Sequence, residues 1–291
     1  MEERLHVEAD HEQEPYGRAR HCVHTLMTHS ARLHWRPALR LAILLGAAIS
    51  AFGASPDDPE DFRIEVTGDV WILNTAGHIQ SGSLPIDLKG DLGVEEGAPT
   101  FFGRLVLKPA RRHRILLEGT PYTLDGRNQI VRSIVYNGQT FNVSDTVVSK
   151  ASLDYIFAGY QYDVASSPRG HLGFEVGGAY LSANGALYGI ESGVTASKSE
   201  TIGLPLVGTE FSVFPVPASH LLEMNGEVKG MALGDYGHYL QANLNAGLQI
   251  KLVTFEVGYR FVDADVHQAG TNPSGVSPRF KGIVTGLVFR Y

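Results

Sequence analysis

Five acidic and histidine residues near the C-terminal end of the chain could perform acid–base chemistry. Asp235 and His238 lie in a short link between two candidate strands, and Asp263, Asp265 and His267 follow at the end of the next strand. A carboxylate paired with an imidazole can take a proton from water, which is the general-base step of many hydrolases. Such side chains at a protein rim are usually solvated, or bridged to lipopolysaccharide by divalent cations, so this rim alone does not predict an enzyme.

A second candidate is the sequence Ser219-His220 with Glu223, which has the residue types of a nucleophile, a base and an orienting acid. Adjacent strand residues point to opposite faces, and this segment is rich in proline, so a polar turn explains it better. The sequence has no phosphate-binding loop, dinucleotide fingerprint or zinc-ligand spacing. We therefore expect no catalytic residues, no cofactor and no metal.

The N-terminal segment has the composition of an export signal. After Met27, which we take as the true start, Arg32, Arg36 and Arg40 precede an apolar stretch at 41–49 and small residues up to Gly53. We expect residues 1–53 to be an N-terminal extension and signal peptide, and residues 54–291 to be the folded domain. The single cysteine, Cys22, lies in the removed part, and the net charge of −7 without a basic cluster argues against nucleic acid as a partner.

The remaining chain alternates between apolar and polar residues with the period of two that is typical of β-strands. Within residues 239–250, for example, Leu240, Ala242 and Leu244 alternate with polar side chains. The pattern predicts about ten strands, with eight to twelve possible, at 62–73, 101–109, 113–122, 150–164, 171–181, 204–214, 221–232, 239–250, 252–264 and 279–291. Short and long links alternate between them, and Asn137-Gly138 in one long link predicts a small hairpin.

The direction of the apolar face decides between a soluble and a membrane fold. The strands are long enough to cross a bilayer, and aromatic residues such as Tyr160, Tyr259 and Tyr291 lie towards the ends of the apolar faces, as in an interfacial girdle. The opposite face carries charges deep inside the strands, so we predict a lumen lined by Glu65, Asp69, Arg104, Glu118, Glu175, Glu227, Glu256 and Arg260. A soluble exported ligand-binding barrel, with these charges at its surface, stays open as an alternative.

The last six residues, GLVFRY, resemble the C-terminal assembly signal of bacterial outer-membrane proteins. Gly286, Phe289 and Tyr291 match its pattern, whereas Val284 replaces a residue that is often polar. The segment 86–119, which begins IDLKGDLGVEE, is similar to uncharacterised bacterial outer-membrane β-barrel proteins. The resemblance implies recognition by the barrel-assembly machinery of a Gram-negative-type cell, and it implies no particular activity.

Together these features predict an all-β protein, a closed antiparallel up-and-down transmembrane β-barrel in the bacterial outer membrane. Its expected partners are outer-membrane lipid, lipopolysaccharide and the assembly machinery, and a monomer is favoured. The expected role is structural, a surface for interaction, or a narrow pore, without enzymatic activity. An outer-membrane lipid or peptide hydrolase using the Asp/His rim remains an alternative, since omptin proteases also have ten strands, although nothing else here resembles that family.

Overall fold

The computed structural model describes residues 58–81, 84–216, 220–232, 234, 237–268 and 274–291. The predicted extension and signal peptide, residues 1–53, lie outside the described residues. The described strands are β1 (Ile64–Ser81), β2 (Pro85–Asp87), β3 (Ala98–Ala110), β4 (His113–Gln129), β5 (Ile134–Tyr136), β6 (Gln139–Phe141), β7 (Thr146–Ser167), β8 (Gly170–Gly189), β9 (Thr195–Val213), β10 (Leu222–Ala232), β11 (Gly237–Ile250), β12 (Val253–Gln268) and β13 (Ser274–Arg290).

Ten of these strands form one closed antiparallel barrel. The order around the barrel is β1, β3, β4, β7, β8, β9, β10, β11, β12 and β13, and β13 pairs again with β1. The closing register places Glu65 opposite Arg290 and Gly68 opposite Leu287. This confirms the predicted all-β class and the ten-stranded up-and-down barrel. The prediction succeeded because the local alternation of apolar and polar residues shows which segments are strands.

The links between strands differ at the two ends of the barrel. Two-residue turns join β3 to β4, β7 to β8 and β11 to β12 at the end that also holds both ends of the barrel domain. The two longest links, 82–97 and 130–145, lie at the opposite end, where β5 and β6 form the predicted hairpin, whereas the eight-residue link 214–221 is the longest connection at the end with the short turns. Asn137 and Gly138 both have positive φ, at 46° and 77°, as a tight hairpin turn requires. No helix in the described part of the chain is long and apolar enough to cross a membrane.

The outer surface of the barrel is apolar, because the apolar face of each strand points away from the lumen. Leu244, Phe255 and Ile283 are more than half exposed, at 53%, 54% and 57%. A water-soluble barrel would bury such side chains, whereas a transmembrane barrel presents them to lipid. Outward polar residues such as Asn74 and Asp154 follow at the long-link end of the strands, where the apolar band stops. Outer-membrane barrels have short periplasmic turns and longer extracellular loops, so we assign the long-link end to the extracellular side and the short-turn end to the periplasm.

Two extracellular links fold inward and cover part of the mouth. Residues 84–97 include β2, which pairs with the top of β1, and residues 130–145 include the β5–β6 hairpin. Their buried apolar side chains pack together in the main core, and these are Ile86, Leu88, Leu92, Ile130, Ile134 and Phe141. Arg132 joins the two links, because its Nε donates to Asp91 Oδ1 at 3.1 Å and its Nη2 to the Pro85 carbonyl at 2.5 Å.

The Asp91–Arg132 pair is electrostatically favourable. Burial alone would raise the pKa of Asp91, but hydrogen bonds from Arg132 and from the Asp87 backbone N–H, together with the charge of Arg132, outweigh it and lower the pKa below its usual value. The same carboxylate raises the pKa of Arg132. This pair therefore holds the two covering links together as long as Asp91 is ionised.

Candidate functional site

Charged side chains fill the periplasmic part of the lumen. The structure places the eight predicted lumen charges inside the barrel with little exposure: Glu65, Asp69, Arg104, Glu118, Glu175, Glu227, Glu256 and Arg260. Arg104 Nη1 lies 2.9 Å from Glu210 Oε1, and its Nε lies 3.5 Å from Glu118 Oε1. Lys229 Nζ lies 2.5 Å from Glu118 Oε2 and also pairs with Glu227. Opposite charges from distant strands thus meet at the barrel axis.

The closing strand contributes a further cation to this network. Arg290 Nε donates to Glu65 Oε2 at 2.7 Å, and its Nη2 donates to Glu223 Oε1 at 2.6 Å. Glu223 also accepts a bond from Ser212 Oγ at 2.9 Å. Glu223 is thus held as an ion-pair partner, and Ser219, its sequence-level companion in the candidate nucleophile cluster, lies outside the described residues.

The periplasmic end of the lumen is closed by the segment before β1. Glu60 enters the barrel, where its Oε2 pairs with Lys108 Nζ at 3.0 Å and Arg114 Nη2 at 2.7 Å, and its Oε1 contacts His171 Nδ1 at 2.8 Å. Burial acts to raise the pKa of Glu60, but these three cationic partners together lower it far below the usual value. Glu60, which precedes β1, and its partners Lys108, Arg114 and His171 therefore close this end of the lumen, and we call the group the ionic stopper.

Two sequence-level interpretations are corrected at this end. The basic run Arg111-Arg112-His113-Arg114 predicts a solvated turn, but Arg114 is buried and also donates from Nε to Asp163 Oδ2 at 2.9 Å. The alternation of apolar and polar residues in 62–73 predicts that Phe62 lies on the outward face of the first strand. It instead lies before β1, is 3% exposed, and its ring faces Lys108 at 4.7 Å. Neither the charged residues around Arg114 nor the polar residues around Phe62 carry a local sequence signal that these side chains enter the lumen.

Little space remains inside the charged layer. The cavity there has a volume of ≈ 30 Å³ and is lined by ionic and amide side chains such as Asp69, Asn245 and Glu256. Such a volume holds about one or two water molecules. The described side chains therefore form a floor across the lumen, which we call the charged floor.

Above the charged floor, the lumen becomes an apolar chamber. It has a volume of ≈ 160 Å³ and opens towards the extracellular side. The sequence predicted a polar interior throughout, and this is wrong for the upper lumen. The chamber wall is formed by aliphatic and aromatic side chains from eight barrel strands and by Leu88 and Tyr136 of the covering links; the strand residues include Ile79, Tyr122, Leu153, Tyr155, Leu181, Ile202, Leu204, Tyr239, Val262 and Phe280.

Aromatic pairs give the chamber a firm wall. Tyr122 stacks on Phe280 with ring centroids 4.7 Å apart, and Tyr155 lies parallel to Tyr239 at 6.1 Å. Trp71 is fully buried and meets Tyr122 edge to face at 5.8 Å. Rings fixed in such pairs lose little further freedom when an apolar molecule binds, which favours binding.

Cations held against aromatic rings form the boundary between chamber and floor. Lys229 Nζ lies 4.3 Å from the centroid of the Phe157 ring, and the Arg260 guanidinium lies 3.5 Å from that of Phe102. The Phe157 ring covers Gly159 and Gly177, where an added Cβ would come within 2.6 Å of it. The two glycines therefore make the space in which this ring separates charge from the apolar chamber.

The described residues of the Asp/His rim do not converge on the chamber. Asp263 and Asp265 alternate with the lumen-facing Val262 and Ala264, so they point to the outside of the barrel above the apolar band. Asp263 contacts His238 at 3.3 Å and accepts from Arg279 Nε at 3.0 Å. Asp235 lies outside the described residues, and so does the side chain of His267.

Asp265 accepts a bond from Ser277 Oγ at 2.6 Å, so it too is engaged locally on the outer surface. Among the described side chains, no group of three or more His, Cys, Asp or Glu residues is arranged to hold a metal ion.

The residues of the C-terminal motif lie at the barrel seam. Gly286 faces inward opposite Asp69, and an added Cβ would come within 2.1 Å of Asp69 Oδ1. Phe289 pairs with Val66 of β1, and Tyr291, which follows β13, is 52% exposed. Gly286 thus has a packing role in the seam, and the role of the motif in assembly stays a prediction.

Comparison with known proteins identifies the fold. No family model matches the chain, and no curated protein matches it. Among solved structures, it is similar to the outer membrane protease OmpT from Escherichia coli, with a TM-score of 0.57 and 11% identity over 80% of this chain and 98% of that chain.

Weaker similarity is found to the translocator domain of the autotransporter NalP from Neisseria meningitidis and to the transport unit of the autotransporter AIDA-I from Escherichia coli. The first has a TM-score of 0.42 and 13% identity, over 94% of this chain and 98% of that chain. The second has a TM-score of 0.39 and 9% identity, over 86% of this chain and 97% of that chain.

At such identities the similarity to OmpT concerns the fold alone, so the assignment to a membrane depends on the surface of the barrel itself. The barrel has an apolar outer band, charged side chains in its lumen and a fully closed sheet, which are the features of outer-membrane barrels. The chain is a ten-stranded β-barrel protein of the bacterial outer membrane.

Proposed function

We propose that the barrel binds an apolar small molecule in its chamber and does not conduct solutes through the membrane. The observation that supports this proposal is the abrupt change in the lumen from the charged floor to an apolar wall. Leu204 and Val262 present apolar side chains to the chamber. Contact of such side chains with water is unfavourable, so an apolar ligand that displaces the water binds favourably.

The shape of the lumen favours binding over permeation. A conducting pore needs a continuous aqueous path, whereas the charged floor leaves ≈ 30 Å³. Ion pairs in that floor would have to separate before a solute could pass, and leaving a buried charge without its partner costs about 3–5 kcal/mol. The chamber, by contrast, has a volume close to that of engineered cavities of about 150 Å³ that bind benzene.

A few polar groups stand at the upper edge of the chamber. Lys198 Nζ and Glu200 Oε1 form a pair at 2.6 Å, and Asn184 and Ser152 also line the space. A ligand with an apolar body and a polar end would place its apolar part below and its polar end at this edge. A fatty acid has this chemistry, with part of its acyl chain inside the chamber of ≈ 160 Å³ and the remainder extending out of it.

Quenching of tryptophan fluorescence by bromododecanoic acid tests the proposal. The chain has two tryptophans, Trp35 in the predicted signal peptide and Trp71 in the upper lumen, so the processed barrel carries one reporter beside the chamber. We expect saturable quenching in detergent solution. Ala264→Phe, which fills the chamber, should weaken binding at least tenfold, and the matched control Ala246→Phe on the exposed outer face should not.

Equal, non-saturable quenching of the wild type and of Ala264→Phe would refute ligand binding in the chamber. Planar-bilayer recording tests the other half of the proposal, and we expect no steady conductance from the reconstituted protein. A stable open channel would show that the floor does not close the lumen.

A further inference from the structure

The hydrogen-bonded wall of the barrel is interrupted beside the chamber. The pairing of β9 with β10 runs from Val213–Met224 to Val207–Gly230 and stops there. β9 continues for twelve more residues to Thr195, and these residues pair with β8 on its other side. The last two residues of β10, Met231 and Ala232, pair with β11. Among the described strands, none pairs with this upper edge of β9.

The interruption begins within the lipid-facing band. Val207 points outward and is 64% exposed, and Pro205 is the next outward residue above it. Further up, outward Thr201 pairs with outward Ser182, which marks the polar limit of the band on the neighbouring strands. The open edge therefore starts at the depth of the outer leaflet and extends upward past its surface.

The same part of β9 forms the chamber wall. Ile202 and Leu204, which alternate with Pro205 along the unpaired edge, line the chamber. On the far side of the interruption, Met231 packs against the core and pairs with Tyr239, another chamber residue. The interruption therefore lies between the membrane and the part of the chamber wall formed by Ile202 and Leu204. At this height no ladder of β9–β10 backbone hydrogen bonds stands between them.

Proline at this edge is chemically consistent with the open ladder. A strand paired on both sides uses every backbone N–H, and proline has none, so proline is confined to edges and irregularities of sheets. Pro205 lies two residues above the last pair with β10.

A second interruption, between β3 and β4, differs because it is covered. Pairing there stops at Gly103–Gly119, and Pro121 follows on β4. Thr100 Oγ1 donates across to the Pro121 carbonyl, and Val94 of the covering link forms a bridge with Gly126 higher up. The Thr100 side chain and the covering link therefore close the β3–β4 interruption. Above Val207–Gly230, by contrast, no hydrogen bond joins the described residues of β9 and β10.

We infer that the β9–β10 interruption is a lateral portal through which the acyl chain of an outer-leaflet lipid or fatty acid enters the chamber from the membrane. This inference rests on the proposed binding function and adds the source and route of the ligand. Apolar chains are concentrated in the bilayer and scarce in water, and the portal begins at the depth where such chains lie. The charged floor below prevents further passage.

Cysteine cross-linking tests the portal, because the single cysteine of the chain, Cys22, lies in the predicted N-terminal extension, ahead of Met27. Pro205→Cys with Ala232→Cys places one thiol on each side of the portal, where the next outward pair would form if the ladder continued. The control, Thr209→Cys with Val228→Cys, joins residues that are already paired in the same two strands. A short bismaleimide closes each pair.

The assay mixes proteoliposomes with phosphatidylcholine vesicles that carry dibromostearic acid, and follows the quenching of Trp71 in time. The Ala264→Phe variant gives the quenching that arises from outside the chamber. We expect closure at 205/232 to slow the chamber-dependent phase at least tenfold, and closure at 209/228 to leave it unchanged. Ala232→Phe, which narrows the portal without a cross-link, should slow it in the same direction.

The outcomes separate the two proposals. Equal rates for the two cross-linked proteins and for Ala232→Phe, with saturable quenching preserved, would overturn the portal and leave the chamber as a site filled from the extracellular mouth. Loss of chamber-dependent quenching in the uncross-linked protein would instead overturn the proposed function itself.

Discussion

Replacing Lys229 with methionine should destabilise the barrel strongly. The ammonium group is fully buried and pairs with two carboxylates, Glu118 at 2.5 Å and Glu227. Methionine keeps the apolar stem and its packing against Phe157 but leaves both carboxylates without this partner. Removing one member of a buried ion pair costs about 3–5 kcal/mol, which is a large part of a typical unfolding free energy of about 5–15 kcal/mol.

Urea unfolding of the refolded barrel in lipid vesicles measures this cost, with Trp71 fluorescence and heat-modifiable gel migration as two probes of the folded state. Lys150→Met is the matched control, because Lys150 is exposed on β7, and it should change the unfolding free energy by less than about 0.5 kcal/mol. Adding Glu118→Gln to Lys229→Met should recover part of the loss, since one carboxylate then no longer needs a partner.

A Lys229→Met protein within about 1 kcal/mol of the Lys150→Met control would refute the reasoning. It would mean that water or a rearranged partner already solvates the two carboxylates, and that the floor is not a tightly paired layer.

Three further predictions concern other parts of the molecule. Arg132→Ala should make the covering links more sensitive to protease at pH 7. Because the pKa of Asp91 is lowered, the contribution of the wild-type pair is full above its ordinary pKa of 3.8 and is lost as the pH falls below it, so acid should produce the same sensitivity. Gly177→Leu should displace the Phe157 ring and lower stability by about 1–3 kcal/mol in the urea assay, whereas Gly178→Leu, where an added Cβ meets open space, should change it little. Deleting residues 289–291 should abolish membrane assembly in cells, as judged by fractionation; normal assembly would contradict the role of the C-terminal motif.

The sequence predicted the strands and their orientation well because both depend on local alternation. In β11, the alternation of Leu240 and Leu244 with Gln241 and Asn243 assigns each residue to the lipid or the lumen without any tertiary information. The Asn137-Gly138 turn was likewise predictable, since positive φ at both positions is a local requirement.

The ionic stopper was not predictable in this way. Glu60 lies before the first strand, and its partners Lys108, Arg114 and His171 come from three different strands. Only closure of the barrel brings these charges together, so no spacing in the sequence points to them.

The apolar chamber corresponds to a second sequence pattern, short runs in which both strand faces are apolar, and this pattern is easily missed beside the general alternation of apolar and polar residues. Residues 70–73 and 204–207 are apolar on both faces, because the outward side meets lipid and the inward side, with Trp71, Leu73, Leu204 and Leu206, is buried in the apolar upper lumen. A two-sided apolar run at the extracellular end of a barrel strand therefore indicates an apolar lumen. Pro205 inside such a run additionally indicates a free strand edge.

Intermolecular nuclear Overhauser effects offer the most direct test of the apolar chamber. The experiment uses methyl-labelled protein in deuterated lipid nanodiscs with protonated lauric acid as the only source of ligand protons. We expect cross-peaks from the acyl chain to the methyl groups of Ile202, Leu204 and Val262 inside the lumen. Cross-peaks confined to outward methyl groups such as Leu244 and Leu248 would contradict this expectation, because the acid would then be bound as ordinary lipid on the outer surface.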